Sequence, residues 1–461
     1  MPEPRNSALP VPFWLACLVL AAVASFALGI WSELAQNAVY RFAANFLATT
    51  SGVASQVRNN TTRPAVYLQP VRKPGEGVTV NAVGNDGELV LMASFWDGQT
   101  GLRLMRRDGT VVAKWPVLHS QDFPDKSAFG ETAPQTDRNV DLHGAVINPD
   151  GSVVFNYEYA GTVKLSRCGK VEWSLAEPTH HSVETTEKGG YWIPGRRFIA
   201  NGSANPDEQF VPFTLAEHEG PVLDDLILRV SDDGTVLERK SVMRIFYDSG
   251  LKALMTGTGD SFRPDRPSRP ELVHLNKIAE LPASMAAAFP MFKAGDLLIS
   301  LRQHNMIAVI DPVTWRVKWY KTGPYLRQHD PHWRPDGSIA LFNNNIFRTS
   351  LGPEDTFIPG TPEVSEVMGL DPATGRTWTT WGNRPGQEMV SVIRGAIDPS
   401  PHGGYLVTEF EGGRAFEFDA SGRIVWEYIN RYDEASVAEI TTARLYSESW
   451  FTVKDWTCPA P

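Results

Sequence analysis

The sequence predicts an all-β fold, a six-bladed β-propeller carrying an N-terminal transmembrane helix and a juxtamembrane helix, and three observations carry the propeller. Six times the chain runs through a glycine turn into an apolar strand, as in NDGELVLMASF, NPDGSVVFNYEY and RPDGSIALFNN, and a second turn and strand follow each time, often with a tryptophan. Two hairpins per unit make a four-stranded sheet, and sheets repeating at this period pack side by side into a closed ring. The composition agrees: 38 Gly, 34 Pro and 14 Trp in 461 residues suit many short strands joined by turns. Finally, three turn glycines each have a histidine eight residues before them: His143 before Gly151, His181 before Gly189 and His329 before Gly337.

Along the chain, residues 1–12 read as a cytoplasmic N-terminus. Phe13–Trp31 is a run of nineteen residues without a charge, about 28 Å as a helix and enough to cross a bilayer. A cleavable signal peptide is the rival reading, since Ala24, Ala27 and Gly29 are small. The length of the run favours an uncleaved anchor. Arg5 lies before the span and Glu33 after it, which places the bulk of the chain on the exported, periplasmic side. Residues 32–77 read as a juxtamembrane helix, with Leu34, Ala38, Phe42 and Phe46 at helical spacing, followed by a tether containing Asn59 and Asn60, which begin glycosylation-type tripeptides. Residues 78–461 form the propeller.

Within the propeller, Trp115, Trp173, Trp319, Trp381 and Trp426 close the second hairpins and read as packing between blades. Asn201–Leu223, Tyr247–Glu271 and Ser350–Glu363 are long loops, and the last thirty residues are expected to help close the ring. Of three cysteines, Cys17 lies inside the apolar run, which leaves Cys168 and Cys458 as the possible disulfide pair of an exported domain. A formal net charge of −10 argues against a nucleic-acid backbone as partner.

The repeated register gives the site. Where a hairpin turns at the glycine, the residue eight before it and the residue about seven after it lie side by side at the open end. The second position holds Glu158, Arg197, Arg302, Asn344 and Glu411. In a propeller the first strand of each blade lines the central channel, so His143, His181 and His329 are expected around one mouth of it. His119, His218 and His402 fall outside the register and read as structural. His329 and His332 have the look of a metal pair, but residues three apart on a strand point to opposite faces, and the same argument separates His180 from His181. GTGD at Gly257 lacks the strand and helix of a phosphate loop.

Four blocks stand out together: THHS with His181, VHLNKI with His274 and Asn276, SLRQHN with Arg302, and RQHDPHW with His329. In this order on a six-bladed pattern behind an export signal, over roughly Val78–Asn430, they resemble the bacterial arylsulfotransferases, which use aryl sulfate esters as donors. The resemblance implies that His329 becomes transiently sulfated, that His181 and His274 assist, and that Arg302 belongs with them. It implies an aryl sulfate donor, a phenolic or other hydroxyl acceptor, and no cofactor or metal. His143, Asn276, Arg197 and Asn344 are the expected substrate-binding residues around that set. Ser182 stands where the family often has an aspartate, and Glu271-Leu272-Val273 precede His274 in place of a tryptophan-containing pattern.

The residue types suit the chemistry on their own account. Sulfuryl transfer parallels phosphoryl transfer, with charge on equatorial oxygens and catalysis by positioning and electrostatics. A neutral imidazole is a competent nucleophile at neutral pH, an arginine fork suits sulfuryl oxygens, and a second imidazole can carry the proton of the leaving phenol. Two other classes compete. IDPVTWRVKW and LDPATGRTWTTW echo the turns of quinone-dependent dehydrogenases, but those are eight-bladed rings with adjacent cysteines. A non-catalytic ligand-binding propeller is the third.

Overall fold

The computed structural model describes residues 11–34, 67–134, 136–199, 205, 222–256, 271–349, 356–359 and 363–458. Contacts divide the chain into two units, Met1–Ala65 and Val66–Pro461. In the first, a helix runs from Val11 to Leu34 and its described side chains, Leu15–Phe26 with Leu28 and Gly29, are mostly exposed. Among the described residues no helix is long and apolar enough to cross a membrane. Of the expected juxtamembrane helix and tether, residues 35–66, with Asn59 and Asn60, lie outside the described residues, as do Asn201, His218, the GTGD stretch and most of the three long loops.

The second unit is built from six antiparallel sheets of four or five strands, the expected propeller. Blade 1 takes three strands from the start of the unit, Glu88–Trp96, Gln99–Arg106 and Val111–Pro116, and its innermost strand, Ile440–Ser447, from the end of the chain. The ring is therefore closed by the C-terminal segment, as the sequence led us to expect of the last thirty residues. The innermost strands of blades 2 to 6 are Leu142–Ile147, Glu184–Thr185, Leu275–Glu280, His329–Trp333 and Ala396–Pro399. The outer edge of blade 6 is covered by Gly77–Asn81, paired with the strand Ile424–Ile429, and Leu68–Pro70 pairs with Ser436–Ala438. Both early strands protect backbone that would otherwise stand as an open sheet edge.

Packing between blades accounts for the tryptophans. Trp115, Trp381 and Trp426 are fully buried, and Trp173 and Trp319 pack against the clusters between blades 2 and 3 and between blades 4 and 5. Three of them share a further device. Trp115 Nε1 donates to Ser166 O at 3.1 Å, Trp173 to Asp232 O at 2.9 Å and Trp426 to Arg107 O at 2.8 Å, each indole reaching the last turn of the next blade. An indole N–H satisfied in this way lets a large apolar ring be buried at no polar cost. Cys168 and Cys458 are joined in a disulfide, with Cα atoms 5.5 Å apart.

Candidate functional site

The innermost strands enter the channel through irregularities that the sequence pattern does not show. Ladder register shifts between Leu142 and Ala145, between Leu275 and Lys277, between His329 and His332 and between Ile440 and Thr442. A bulge bends its strand and re-aims the side chains beside it. The expected pairing of His143 with Glu158 is displaced for this reason: Glu158 N donates to Asp141 O at 2.9 Å. His181 precedes its short strand, and His181 and His274 both hold left-handed backbone, with φ of 56° and 57°. Non-glycine residues adopt that conformation only where the surroundings impose it.

The channel holds a cavity of about 50 Å³, with wall residues from His143, His181, Asn276, His329, Arg394 and Thr442 among others, so that all six blades or the loops leading into them contribute. The space is enough for a few water molecules and so for a group the size of a sulfuryl unit. Of the four expected wall residues, His143 and Asn276 border it directly and Asn344 lies one contact behind, on His329. Asn276 donates to Gln328 O at 2.8 Å, while its Oδ1 has no hydrogen-bond partner among the described residues. Asn344 stands behind the wall and accepts at 2.7 Å from His329 Nδ1. Arg197 is elsewhere: its guanidinium is held by Asp224 at 2.9 Å, because its neighbour on the same strand, Arg196, takes the inward side. Arg197, expected among the substrate-binding residues, does not border this cavity.

The imidazoles meet in one cluster. His143 and His181 stack with ring centres 3.9 Å apart, His329 lies parallel to His181 at 6.0 Å, and His274 stands edge-on to His181 at 4.8 Å. His329 Nδ1–H donates to Asn344 Oδ1, whose own amide nitrogen is fixed by Ser391 O and Arg394 O at 2.9 and 2.8 Å. That choice of tautomer leaves the lone pair on His329 Nε2, which is buried without a hydrogen-bond partner among the described residues. Burial, then the Arg302 charge, push His329 down to about 3, and the same two causes push His274 down to about 3. Burial holds His143 and His181 well below the ordinary histidine value as well.

Arg302 opens a single turn, Arg302–His304, and its N–H donates to His274 O at 3.0 Å. Its guanidinium reaches Glu271 at 3.4 Å, and its Nε has no hydrogen-bond partner among the described residues. Glu271 is the hub the sequence reading missed. It accepts from His274 Nδ1 at 2.7 Å, Arg196 at 2.5 Å and Gln303 at 2.8 Å. Although burial raises it, the His274 hydrogen bond and the Arg196 and Arg302 charges hold its carboxyl far below the usual range. Its position three residues before His274 was the available signal. Ser182, in place of an aspartate, accepts from Ile278 N at 3.3 Å and so ties the loop of His181 to blade 4.

A family profile described as Arylsulfotransferase (ASST) matches residues 140–431, more than half of the chain. The chain belongs to the arylsulfotransferase family. No curated protein matches this arylsulfotransferase-family chain. Solved structures similar to it include a protein of unknown function from Bacteroides caccae, at 12% identity and a TM-score of 0.41 over 78% of this chain and 98% of that one. TolB from Acinetobacter baumannii is similar at 12% identity and a TM-score of 0.41, over 78% and 67%. Selenomethionine-substituted virginiamycin B lyase from Staphylococcus aureus is similar at 12% identity and a TM-score of 0.34, over 66% and 94%.

Three further described histidines of the arylsulfotransferase-family domain are engaged elsewhere. His119 is buried among Phe123, Phe129 and Tyr157 with Nε2 on Ala160 O at 2.9 Å, and His402 reaches Asp86 at 3.0 Å. His332 bonds Asp330 at 3.1 Å in a buried ionic group with Lys277. Among the described residues no set of three or more His, Cys, Asp or Glu is grouped to hold a metal ion.

Proposed function

We propose that this family member transfers a sulfuryl group from an aryl sulfate ester to a phenolic or other hydroxyl acceptor in two steps through sulfated His329. The observation that carries the reading is His329 itself: a neutral, buried imidazole with Nδ1 anchored on Asn344 and Nε2 unpartnered in a channel whose cavity accepts a group of sulfuryl size. In the first step Nε2 attacks sulfur, the N–S bond forms, and the S–O bond to the aryl group breaks. In the second an acceptor oxygen attacks sulfur, the N–S bond breaks, and Nε2 regains its lone pair. Arg302 supplies positive charge for the sulfuryl oxygens, and His181 with His274 carries the proton of the phenol.

Incubation of the protein with 4-nitrophenyl sulfate and a phenol tests the proposal. Wild type is expected to release nitrophenol and to retain labelled sulfuryl when the acceptor is left out, and His329→Ala is expected to do neither. Equal release by the two proteins would end the assignment, and binding of aryl sulfate without turnover by wild type would turn it into a ligand-binding propeller.

We propose further that Phe13–Trp31 anchors the protein in a membrane with the propeller on the exported side. Three things support it: the nineteen uncharged residues, the exposure of Leu15, Leu18, Leu20 and Phe26 on the helix, and the Cys168–Cys458 disulfide, which suits an oxidising compartment. Release of the full chain from membranes by carbonate washing would count against the anchor.

A further inference from the structure

Behind the cavity, three imidazoles form a hydrogen-bonded row with a carboxylate at each end. His180 Nε2 lies 3.5 Å from Asp225 Oδ1 and 3.3 Å from Gly195 O, His180 Nδ1 is 2.7 Å from His181 Nδ1, His181 Nε2 is 3.2 Å from His274 Nε2, and His274 Nδ1 is 2.7 Å from Glu271. Both outer contacts face oxygens that only accept, so each needs an N–H, and each of the two inner nitrogen pairs needs one hydrogen to be attractive. The row thus has four places for a proton. Three neutral imidazoles supply three. A neutral row must either set two lone pairs against each other, at 2.7 or 3.2 Å, or turn a lone pair towards a carboxylate, and both are costly in a buried site.

Resting on the sulfuryl-transfer reading above, we infer that the row His180–His181–His274 holds one proton beyond its neutral complement, shared between His181 Nε2 and His274 Nε2, and that this is the proton given to the leaving phenolate. Two carboxylates meet the row directly, Asp225 at the His180 end and Glu271 at the His274 end. Asp225 and Glu271 are both ionised, Arg196 bridges them at 3.2 and 2.5 Å, and Arg302 reaches Glu271 at 3.4 Å. The other groups facing it are neutral: His143 stacked on His181, His329 parallel to it, and Tyr159 beside His180. Burial lowers each ring, with the Arg302 charge adding to it at His274, and the end carboxylates oppose this at His180, through Asp225, and at His274, through Glu271. In the first step the shared proton passes to the aryl oxygen as its bond to sulfur breaks. In the second the acceptor O–H returns a proton to the same pair. His180 touches no reacting atom. It is a positioning residue, whose Nδ1 lone pair fixes the N–H of His181 on the far side and leaves Nε2 for the shared proton.

Leaving-group dependence separates this role from a structural one, since 4-nitrophenolate departs without protonation and unsubstituted phenolate does not. For the full chain, His180→Leu is expected to lose about 10²-fold on phenyl sulfate and under about tenfold on 4-nitrophenyl sulfate. His180→Gln, whose amide oxygen accepts where Nδ1 did, is expected to recover part of the loss, and Glu271→Gln to show the same selective pattern. The wild-type rate on phenyl sulfate is expected to fall with the loss of one proton as pH rises, while that on 4-nitrophenyl sulfate does not fall. Equal losses on the two esters, or parallel wild-type pH profiles, would overturn the inference, and the wild-type profiles decide it even if the variants fail to fold. Absence of turnover by wild type on either ester would instead remove the sulfuryl-transfer reading.

Discussion

At the scale of single residues, the site couples a nucleophile that needs no activation to a cation that cannot be exchanged for a simpler one. His329 is displaced from its ordinary value by burial and by Arg302, down to about 3. A base must be unprotonated to attack, so its activity is complete above that value and lost only as pH falls through it. The sulfation rate with 4-nitrophenyl sulfate should therefore show no decline between about pH 8 and about pH 5, where an ordinary imidazole would lose its lone pair; a fall centred near the ordinary histidine value would refute it. Stability carries the same sign. The unfolded chain protonates His329 below about 6.5 and the folded chain does not, so the folded state loses about 1.4 kcal/mol for each pH unit below that point from this residue. Arg302 offers an unpartnered Nε beside its contact to Glu271, a planar fork that lysine cannot reproduce. Arg302→Lys is expected to lower kcat about 10²-fold with little change in KM, because the charge serves oxygens that grow more negative in the transition state. An unchanged kcat would place Arg302 outside the chemistry.

Secondary-structure elements explain why the site was only partly legible in the sequence. A fixed count from the turn glycine found His143, His181 and His329, because hairpin register is set by the turn and survives along the strand. It passed over Glu271, three residues before the left-handed His274, since bulges and left-handed residues at the channel mouth break the period-two rule where the site is built. Residues at such points follow the tertiary contacts that hold them, which no local pattern encodes. Gly144 shows one such contact. Its N–H donates to His181 O at 2.7 Å, and a Cβ placed on it would lie 2.3 Å from that oxygen and 2.7 Å from Val183 N. Both obstacles are backbone, so the loop carrying His181 must move away. Gly144→Ala is expected to cost about 1–3 kcal/mol of stability and to lower turnover more than tenfold by withdrawing His181 from His274. Wild-type turnover in a folded Gly144→Ala protein would show that the position of His181 is unimportant.

For the whole molecule, closure is the step on which the site depends, since its wall takes residues from every blade and the C-terminal strand Ile440–Ser447 supplies Thr441–Arg444. Six units and a closing C-terminal segment could be read from the glycine turns. The exchange that puts this strand innermost in blade 1 could not, because a strand's partner across the ring is a matter of topology and leaves no mark on its own pattern of burial. The disulfide lies beyond that strand, where Cys458 ties the tail to Cys168 in the outer turn of blade 2, 290 residues away in sequence. Phe451 packs into the core between blades 1 and 2, and Thr452 N donates to Pro149 O at 2.8 Å, so the tail runs along blade 2 before the bond. A cross-link over so long a loop removes much freedom from the unfolded chain, on the order of 5 kcal/mol in the chain-entropy account. Cys168→Ser and Cys458→Ser are each expected to lower unfolding stability by about 2–5 kcal/mol. The double variant should lose no more than either single one, because both changes remove the same bond. Denaturation by urea with and without reductant measures this: reductant should shift wild type to the midpoint of the variants and leave the variants where they are. Coincident midpoints for oxidised wild type and Cys168→Ser would mean that the ring holds its closing strand without the clasp.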